Sequence, residues 1–368
     1  MMLTDTNVKK ITALILVFLL ILISNMAVSG KIYPNNNGDD DPDIDFYYSY
    51  EEIANMLDNF SKKYTDIFFY SSLGKTYENR DIFYVKISDN VTTDEDEPEI
   101  LLMGGVHGCE GPGYQVVMYT IKSYLENYTT VNENITFTNR IRNIINNTEI
   151  FFIPMVNPDG CVAGTRKNVE PNLCIFGKTF FRGVDINRNF GYKWYEFYRH
   201  PFKYAFNSPY LLFRFNVVLP FMDNPQIGNG CYRGPYPFSE KESKAVKLFV
   251  ETHNIKISVD YHTAGEIIIY PWFWKKEKTK DEPIFRSIAE NISGINGYEI
   301  QNKGDGYELL GTSADWMYAE HNILAMGLEL CNVSGPETPT DEQLVLNVCK
   351  QHVGVNIYLS ERAIAEFA

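Results

Sequence analysis

The sequence predicts one α/β domain built on a mostly parallel sheet, and three observations carry that reading. Strand-like and helix-like segments alternate along the whole chain, the pattern left by strands joined through crossover helices. Two segments, Glu99 to Gly104 and Glu149 to Met155, are nearly continuous apolar runs, as expected of strands covered on both faces. No internal repeat or second domain breaks the alternation. With 368 residues, 45% of them hydrophobic, the chain can bury a large core.

Taken in order, the chain opens with Lys9 and Lys10, an apolar run from Ile11 to Ile23, and small residues around Ala27 and Ser29. This predicts a secretory signal over residues 1–30; an uncleaved anchor is the alternative, because Ile11 to Val28 nearly reaches spanning length. Either reading puts the remainder outside the cytoplasm, secreted or anchored facing outward. Asn-x-Ser/Thr sequons at Asn59, Asn90, Asn127, Asn134, Asn146, Asn291 and Asn332 fit an exported chain. Residues 31–45 read as a solvated acidic linker whose spacing is not that of an EF-hand loop.

The folded part is expected over residues 46–368. Tyr50 to Tyr64 has helical spacing through Ile53, Met56, Leu57 and Phe60. Ile67 to Ser72 and Ile82 to Ile87 read as paired strands around a turn near Gly74. Gly113 to Glu126 is a helix, and Asn157-Pro158-Asp159-Gly160 stops the strand that precedes it. Tyr192 to Gly230 is aromatic-rich and irregular, an insertion. Ser239 opens a helix running to His253, with Glu242 as capping-box partner. Strands follow at Lys256 to Asp260, Ile267 to Tyr270 and Ile323 to Leu330. Helices are expected at Thr312 to Glu320 and Asp341 to Phe367.

A net charge of −14 argues against a nucleic-acid surface, which would be basic. Chemistry is concentrated where the run from Glu99 ends in Gly104-Gly105-Val106-His107-Gly108-Cys109-Glu110-Gly111. An imidazole and a carboxylate three residues apart in a glycine-rich turn are ligand types that zinc takes. Alone, the stretch is equally a strand end carrying two solvated polar residues. A third ligand is needed, and of six histidines His262 stands out, because it too follows a buried strand. Ligands at neighbouring strand ends converge at the carboxyl edge of such a sheet. His200, His253, His321 and His352 lie in the insertion or on helices and read as surface or packing residues.

On these residues the chain resembles the zinc carboxypeptidases, the family of the pancreatic enzymes and their secreted bacterial relatives. The resemblance runs from Tyr48 to the C-terminus through Gly105-Val106-His107-Gly108-Cys109-Glu110, Asn157-Pro158-Asp159-Gly160, Arg166-Lys167-Asn168, Gly183-Val184-Asp185-Ile186-Asn187-Arg188-Asn189-Phe190, Tyr261-His262-Thr263, Tyr307 with Gly311-Thr312-Ser313-Ala314-Asp315-Trp316, and Gly327-Leu328-Glu329-Leu330. It implies a single-domain, mixed but mostly parallel twisted sheet with helices on both faces. It implies one zinc ion held by His107, Glu110 and His262, with Asp185 orienting His107 from behind. Glu329 is implied as the general base acting on the water that zinc activates, and Arg166 as the group stabilising the oxyanion. Asn187 and Arg188 are implied to bind the substrate's terminal carboxylate, Tyr307 to close over it, and Ala314 to lie at the base of the terminal side-chain pocket. Two departures stand out: Thr165 precedes Arg166 where the family has an aromatic, and Cys109 stands where many relatives have Arg.

The implied activity is hydrolysis of the C-terminal peptide bond of peptides or proteins by an exported, monomeric enzyme. The only expected membrane contact is through an uncleaved N-terminal segment. Ala314 predicts a preference for large neutral terminal residues over Lys and Arg, with Asp305 as the residue that would mix the specificity. A cell-wall peptide or modified-amide hydrolase of the same family is the alternative. A non-catalytic module would require a lost ligand, and none is missing. Six cysteines in an exported chain suggest disulfides, and the resemblance favours Cys174 with Cys231. The family-like part begins almost directly after the linker, leaving no room for a folded pro-domain, and no appended β-sandwich is expected.

Overall fold

The computed structural model describes residues 46–129, 135–169, 173–175, 178–180, 183–199, 232–301, 309–332 and 339–368. The N-terminal segment, the linker, Asp305, Tyr307, Cys231, the side chain of Cys174 and most of the 192–230 insertion lie outside them. The described residues all belong to the unit Asp45–Ala368.

Helix α1 (Tyr50–Lys63) starts at a full capping box: the Ser49 hydroxyl accepts from the Glu52 N–H while the Glu52 carboxylate accepts from the Ser49 N–H. Strands β1 (Phe68–Lys75) and β2 (Asp81–Ile87) form an antiparallel hairpin. Next come β3 (Glu99–Met103), α2 (Gly111–Thr129), α3 (Ile135–Ile145) and β4 (Glu149–Ile153). The middle of the chain supplies α4 (Pro158–Ala163), a small hairpin of β5 (Leu173–Ile175) with β6 (Lys178–Phe180), a 3-10 turn at Ile186–Arg188, and α5 (Glu196–Arg199). The last third contributes α6 (Lys241–Glu251), β7 (Ile255–Thr263), β8 (Ile267–Ile269), α7 (Glu282–Asn296), β9 (Glu299–Gln301), α8 (Ser313–His321), β10 (Leu324–Leu330) and α9 (Glu342–Phe367).

Eight strands make one sheet in the order β1-β2-β4-β3-β7-β10-β8-β9. The pairs β4–β3, β3–β7, β7–β10 and β8–β9 are parallel; β1–β2, β2–β4 and β10–β8 are antiparallel. Every residue of β3 and β4 is buried, and that is why both read as unbroken apolar runs. Alternation along β3 feeds two cores. Ile100 and Leu102 join α2, α7 and α9 on one face, through residues such as Val117, Phe285 and Val355. Leu101 and Met103 join α6 and α8 on the other, through Phe249 and Trp316. Helices therefore cover both faces, as the sequence led us to expect.

One local expectation fails. Glu240, not Ser239, occupies the cap position of α6, and no side chain caps that end. The Ser239 hydroxyl donates to Glu240 and accepts from Asn189 instead. Glu242 is drawn inward, where it accepts from the Asn168 amide. Cys161, Cys331 and Cys349 carry no disulfide.

Candidate functional site

Strands β3, β7 and β10 are parallel neighbours, so their carboxyl ends open on one side. The turn after β3 carries His107 and Glu110, closed by a bond from the Glu110 N–H to the His107 carbonyl at 3.2 Å. His262 lies near the end of β7, and Glu329 on β10 pairs with it in register. Glu110 stands directly before α2, so the helix start fixes its direction.

Three buried side chains meet here. His107 Nδ1 lies 2.8 Å from Glu110 Oε1, and His262 Nδ1 lies 2.9 Å from Glu110 Oε2. The two Nδ1 atoms are 3.2 Å apart, and the donor atoms of all three residues fall within 4.8 Å of one another. A tetrahedral zinc with nitrogen ligands at its usual length separates two such nitrogens by roughly 3.3 Å. The residues therefore fit one zinc ion.

The outer edges of both rings fix which nitrogen is available. His107 Nε2 is 3.0 Å from Asp185 Oδ1 and His262 Nε2 is 3.1 Å from Asp260 Oδ2. An ionised carboxylate only accepts, so Asp185 draws the His107 proton to Nε2 and turns its Nδ1 lone pair inward, and Asp260 favours the same tautomer of His262, whose Nε2 also faces the Asn187 amide at 3.0 Å. Asp185 is fully buried, which excludes its being an ordinary turn carboxylate. Burial opposes its charge, but Arg166, Arg188 and His107 outweigh burial and hold it well below the usual range. Glu110 is held low in the same way, by His107 and His262 against its own burial. Burial also works against a charge on His262, yet Asp260 and Glu110 raise its affinity for a proton well above normal. The half-buried Glu329 has its carboxyl pushed up to about 7, by desolvation first and by Glu110 next, against the pull of His262, His107 and Arg166.

Arg166 braces this frame. Its Nε donates to Asp185 Oδ2 at 3.1 Å and its Nη1 to Glu110 Oε1 at 3.0 Å. The Asn187 amide lies 3.0 Å from His262 Nε2 and accepts from the Ser313 N–H at 2.9 Å. Arg188 is buried, with Nη1 donating to the Asn187 carbonyl at 2.7 Å. Ala314 is buried in the first turn of α8, in the cluster that also holds Phe190, Phe273 and Trp316.

Close backbone contact locks the loops together. A Cβ on Gly108 would stand 2.0 Å from the Gly160 carbonyl carbon, so the metal-side turn and the 157–160 turn touch directly. Asn157 caps α4 by accepting from the Gly160 N–H. Asn168 accepts from the Val184 N–H, tying the Arg166 segment to the loop that carries Asp185.

The sequence reading did not assign roles to Asp260, Asn189 or Phe273. Asp260 follows the apolar run of β7, and a carboxylate there was the available signal. Asn189 bonds to the Arg233 and Tyr236 carbonyls and to Ser239 and Ser243, holding the loop behind Arg188. Phe273 packs its ring edge 3.5 Å from where a Cβ on Gly327 would be, and the His262 ring lies 3.9 Å from the same point. It stands in the aromatic run Tyr270-Pro271-Trp272-Phe273-Trp274, where residue type alone does not separate a site-lining ring from its neighbours.

Comparisons with known proteins agree with this geometry. The family model for zinc carboxypeptidases matches residues 53–344. A zinc carboxypeptidase of Saccharothrix mutabilis subsp. capreolus is 26% identical over 330 residues, covering 85% of this chain and 69% of the relative. Carboxypeptidase B of Astacus astacus is 25% identical over 292 residues, covering 75% of this chain and 83% of the relative. Among solved structures, thrombin-activatable fibrinolysis inhibitor shares the fold with a TM-score of 0.67 at 19% identity, over 87% of this chain and 75% of that one. Carboxypeptidase A from Helicoverpa armigera gives 0.64 at 21% identity, over 87% and 74%. With its His-Glu-His cluster at the sheet's carboxyl edge and the family model matching most of its length, the chain belongs to the zinc carboxypeptidases.

Proposed function

We propose that this protein is an exported carboxypeptidase that releases neutral C-terminal residues from peptides or proteins, with His107, Glu110 and His262 holding the zinc. What supports the metal assignment is the convergence of two inward Nδ1 atoms on one carboxylate, with Glu329 in register beside His262. Zinc supplies Lewis-acid polarisation of a carbonyl and lowers the pKa of water.

The chain's own groups do the rest. Glu329 takes the proton of the attacking water and returns it to the departing amine. Arg166 stabilises negative charge developing on the scissile carbonyl oxygen. Arg188, with Asn187 beside it, receives the terminal carboxylate, for which a planar guanidinium fork is suited. Asp185 and Asp260 keep the two imidazoles in one tautomer and orientation. Ala314 itself puts no carboxylate at the base of the side-chain pocket, so a cationic terminal residue buried there would find no partner at that position. The Phe273 ring lies 3.5 Å from where a Cβ on Gly327 would be, beside His262, so it would bound the space on that side of the site.

Mass spectrometry of products from a peptide library with varied C-termini tests this. Sequential loss of single terminal residues, dependent on zinc, is the expected result. Internal cleavage, or cleavage only of cross-linked or amidated termini, would overturn it.

A further inference from the structure

The first turn of α8 is bonded to two separate parts of the site through one residue. Thr312 caps the helix, its Oγ1 accepting from the Asp315 N–H at 3.3 Å, so Ser313 is the first helical residue. An N–H at that position has no partner within the helix and is free to bond elsewhere. It donates to Asn187 Oδ1 at 2.9 Å. The Ser313 hydroxyl donates to Asp260 Oδ2, also at 2.9 Å. Ser313 is 1% exposed, so bulk water does not compete for either bond.

Asp260 and His262 are two residues apart on β7, so their side chains leave the same face of the strand. That spacing puts the carboxylate behind the ring, with Oδ2 3.1 Å from His262 Nε2. The two carboxylates behind the imidazoles are braced differently. Asp185 is held by a guanidinium, with Arg166 Nε at 3.1 Å. Among the described residues no lysine or arginine pairs with Asp260, and its Oδ1 is buried without a hydrogen-bond partner. A carboxylate turns easily about its terminal torsion. The Ser313 hydroxyl is what selects one orientation of Asp260.

We propose that Ser313 is a positioning residue: its hydroxyl fixes Asp260, and Asp260 in turn fixes the His262 ring as a zinc ligand. The inference rests on His107, Glu110 and His262 holding the zinc, as proposed above. Outer partners of this kind are worth about 10–100-fold in metal affinity or activity when removed. The same residue holds Asn187 only through its backbone N–H, which Ala retains. Loss of the hydroxyl should therefore act on the metal ligand and spare the binding of the terminal carboxylate.

The test titrates the metal-stripped full chain with zinc chloride against a fluorescent chelator, beside steady-state kinetics at saturating zinc. Ser313→Ala should weaken zinc binding by about tenfold and lower kcat, with KM for free-acid peptides within about twofold of the parent. Ser313→Thr keeps the hydroxyl and should bind zinc within about threefold of the parent. Asp260→Ala should weaken zinc binding at least as much as Ser313→Ala, and adding Ser313→Ala to it should cost less than about twofold more, because the two act in series. If Ser313→Ala does not fold, Ser313→Cys, which keeps the volume but only a weak donor, decides. Zinc affinity unchanged by loss of the hydroxyl, an equal loss in Ser313→Thr, or full additivity with Asp260→Ala would overturn the proposal. A parent that takes up no zinc would overturn the ligand assignment and this inference with it, whereas a zinc-binding parent matched by Ser313→Ala overturns this inference alone.

Discussion

Gly108→Ala tests whether close loop packing positions the metal ligands. The added Cβ would lie 2.0 Å from Gly160 C and 2.3 Å from both Cys161 N and Gly160 O. Ordinary contact begins near 3.4 Å, so the two turns must part by about 1.4 Å, and the opposing atoms are backbone with no rotamer to change. Overpacking of this kind costs about 1–3 kcal/mol or more in stability. Part of the displacement falls on His107, next to residue 108, and on Glu110, two residues on in the same turn, while Asp185 and Arg166 stay on the other loops. A shift of about 1 Å in such a constellation lowers kcat/KM by about 100-fold. The assays are thermal unfolding, zinc content after dialysis and kcat/KM on a chromogenic dipeptide. A variant that keeps its melting point within about 1 °C and its kcat/KM within about twofold would refute the argument.

Glu329→Gln should bind zinc normally and retain substrate affinity, but lose turnover by about two to four orders of magnitude, read by single-turnover kinetics beside metal analysis; near-normal kcat would remove Glu329 as the base. Arg188→Ala should lose about 1.5–3 kcal/mol of kcat/KM on free-acid peptides and little on amidated ones, and equal losses would count against a carboxylate-binding role. Ala314→Asp should shift preference toward Lys and Arg in a peptide series differing only in the last residue; an unchanged ranking means position 314 does not line the pocket. Glu242 is buried beside Glu240, and burial raises its carboxyl to about 7. A raised carboxyl stabilises the fold below its ordinary value of 4.5 and loses that contribution as pH climbs through about 7. At about 1.4 kcal/mol per pH unit this amounts to roughly 3 kcal/mol. Glu242→Gln should therefore match the parent at pH 4, exceed it at pH 8, and show a flatter pH–stability profile by chemical denaturation.

Much of the site was legible because its information is local. His107 and Glu110 share one turn and His262 follows an apolar run, so strand pattern and residue type made them candidates, while Glu329 entered through the family resemblance. The partners that make those residues competent were less legible, because they come from distant segments. Asp260 was read only as the end of a strand, yet its carboxylate lies 3.1 Å from His262 Nε2. The Ser239–Glu242 spacing satisfies the capping-box pattern, but Asn168 from a remote segment binds Glu242 and the pattern is overridden. Helix α3 was missed because Thr, Asn and Ile are poor helix formers. It is held by burial of Thr138, Ile141, Ile144 and Ile145. Tyr307 and the proposed Cys174–Cys231 bridge lie outside the described residues.

The parallel arrangement of β4, β3 and β7 explains why charge sorts to two opposite edges. Each of these strands is buried along its length, so ionisable groups are admitted only where the strand begins or ends. At the carboxyl ends, cations and anions interleave: Arg166 bridges Glu110 and Asp185, and each imidazole has a carboxylate behind it. That balance lets Glu110 and Asp185 stay ionised within a buried frame. At the amino ends the sorting is one-sided, with Glu99 and Glu149 adjacent in register and Lys86 bonded to only one of them. A buried carboxylate without a partner must either take up a proton or find a cation. The two edges should accordingly respond to different perturbations. Loss of the metal from the carboxyl edge should remove turnover, whereas Glu99→Gln should change unfolding and leave the zinc content as it is.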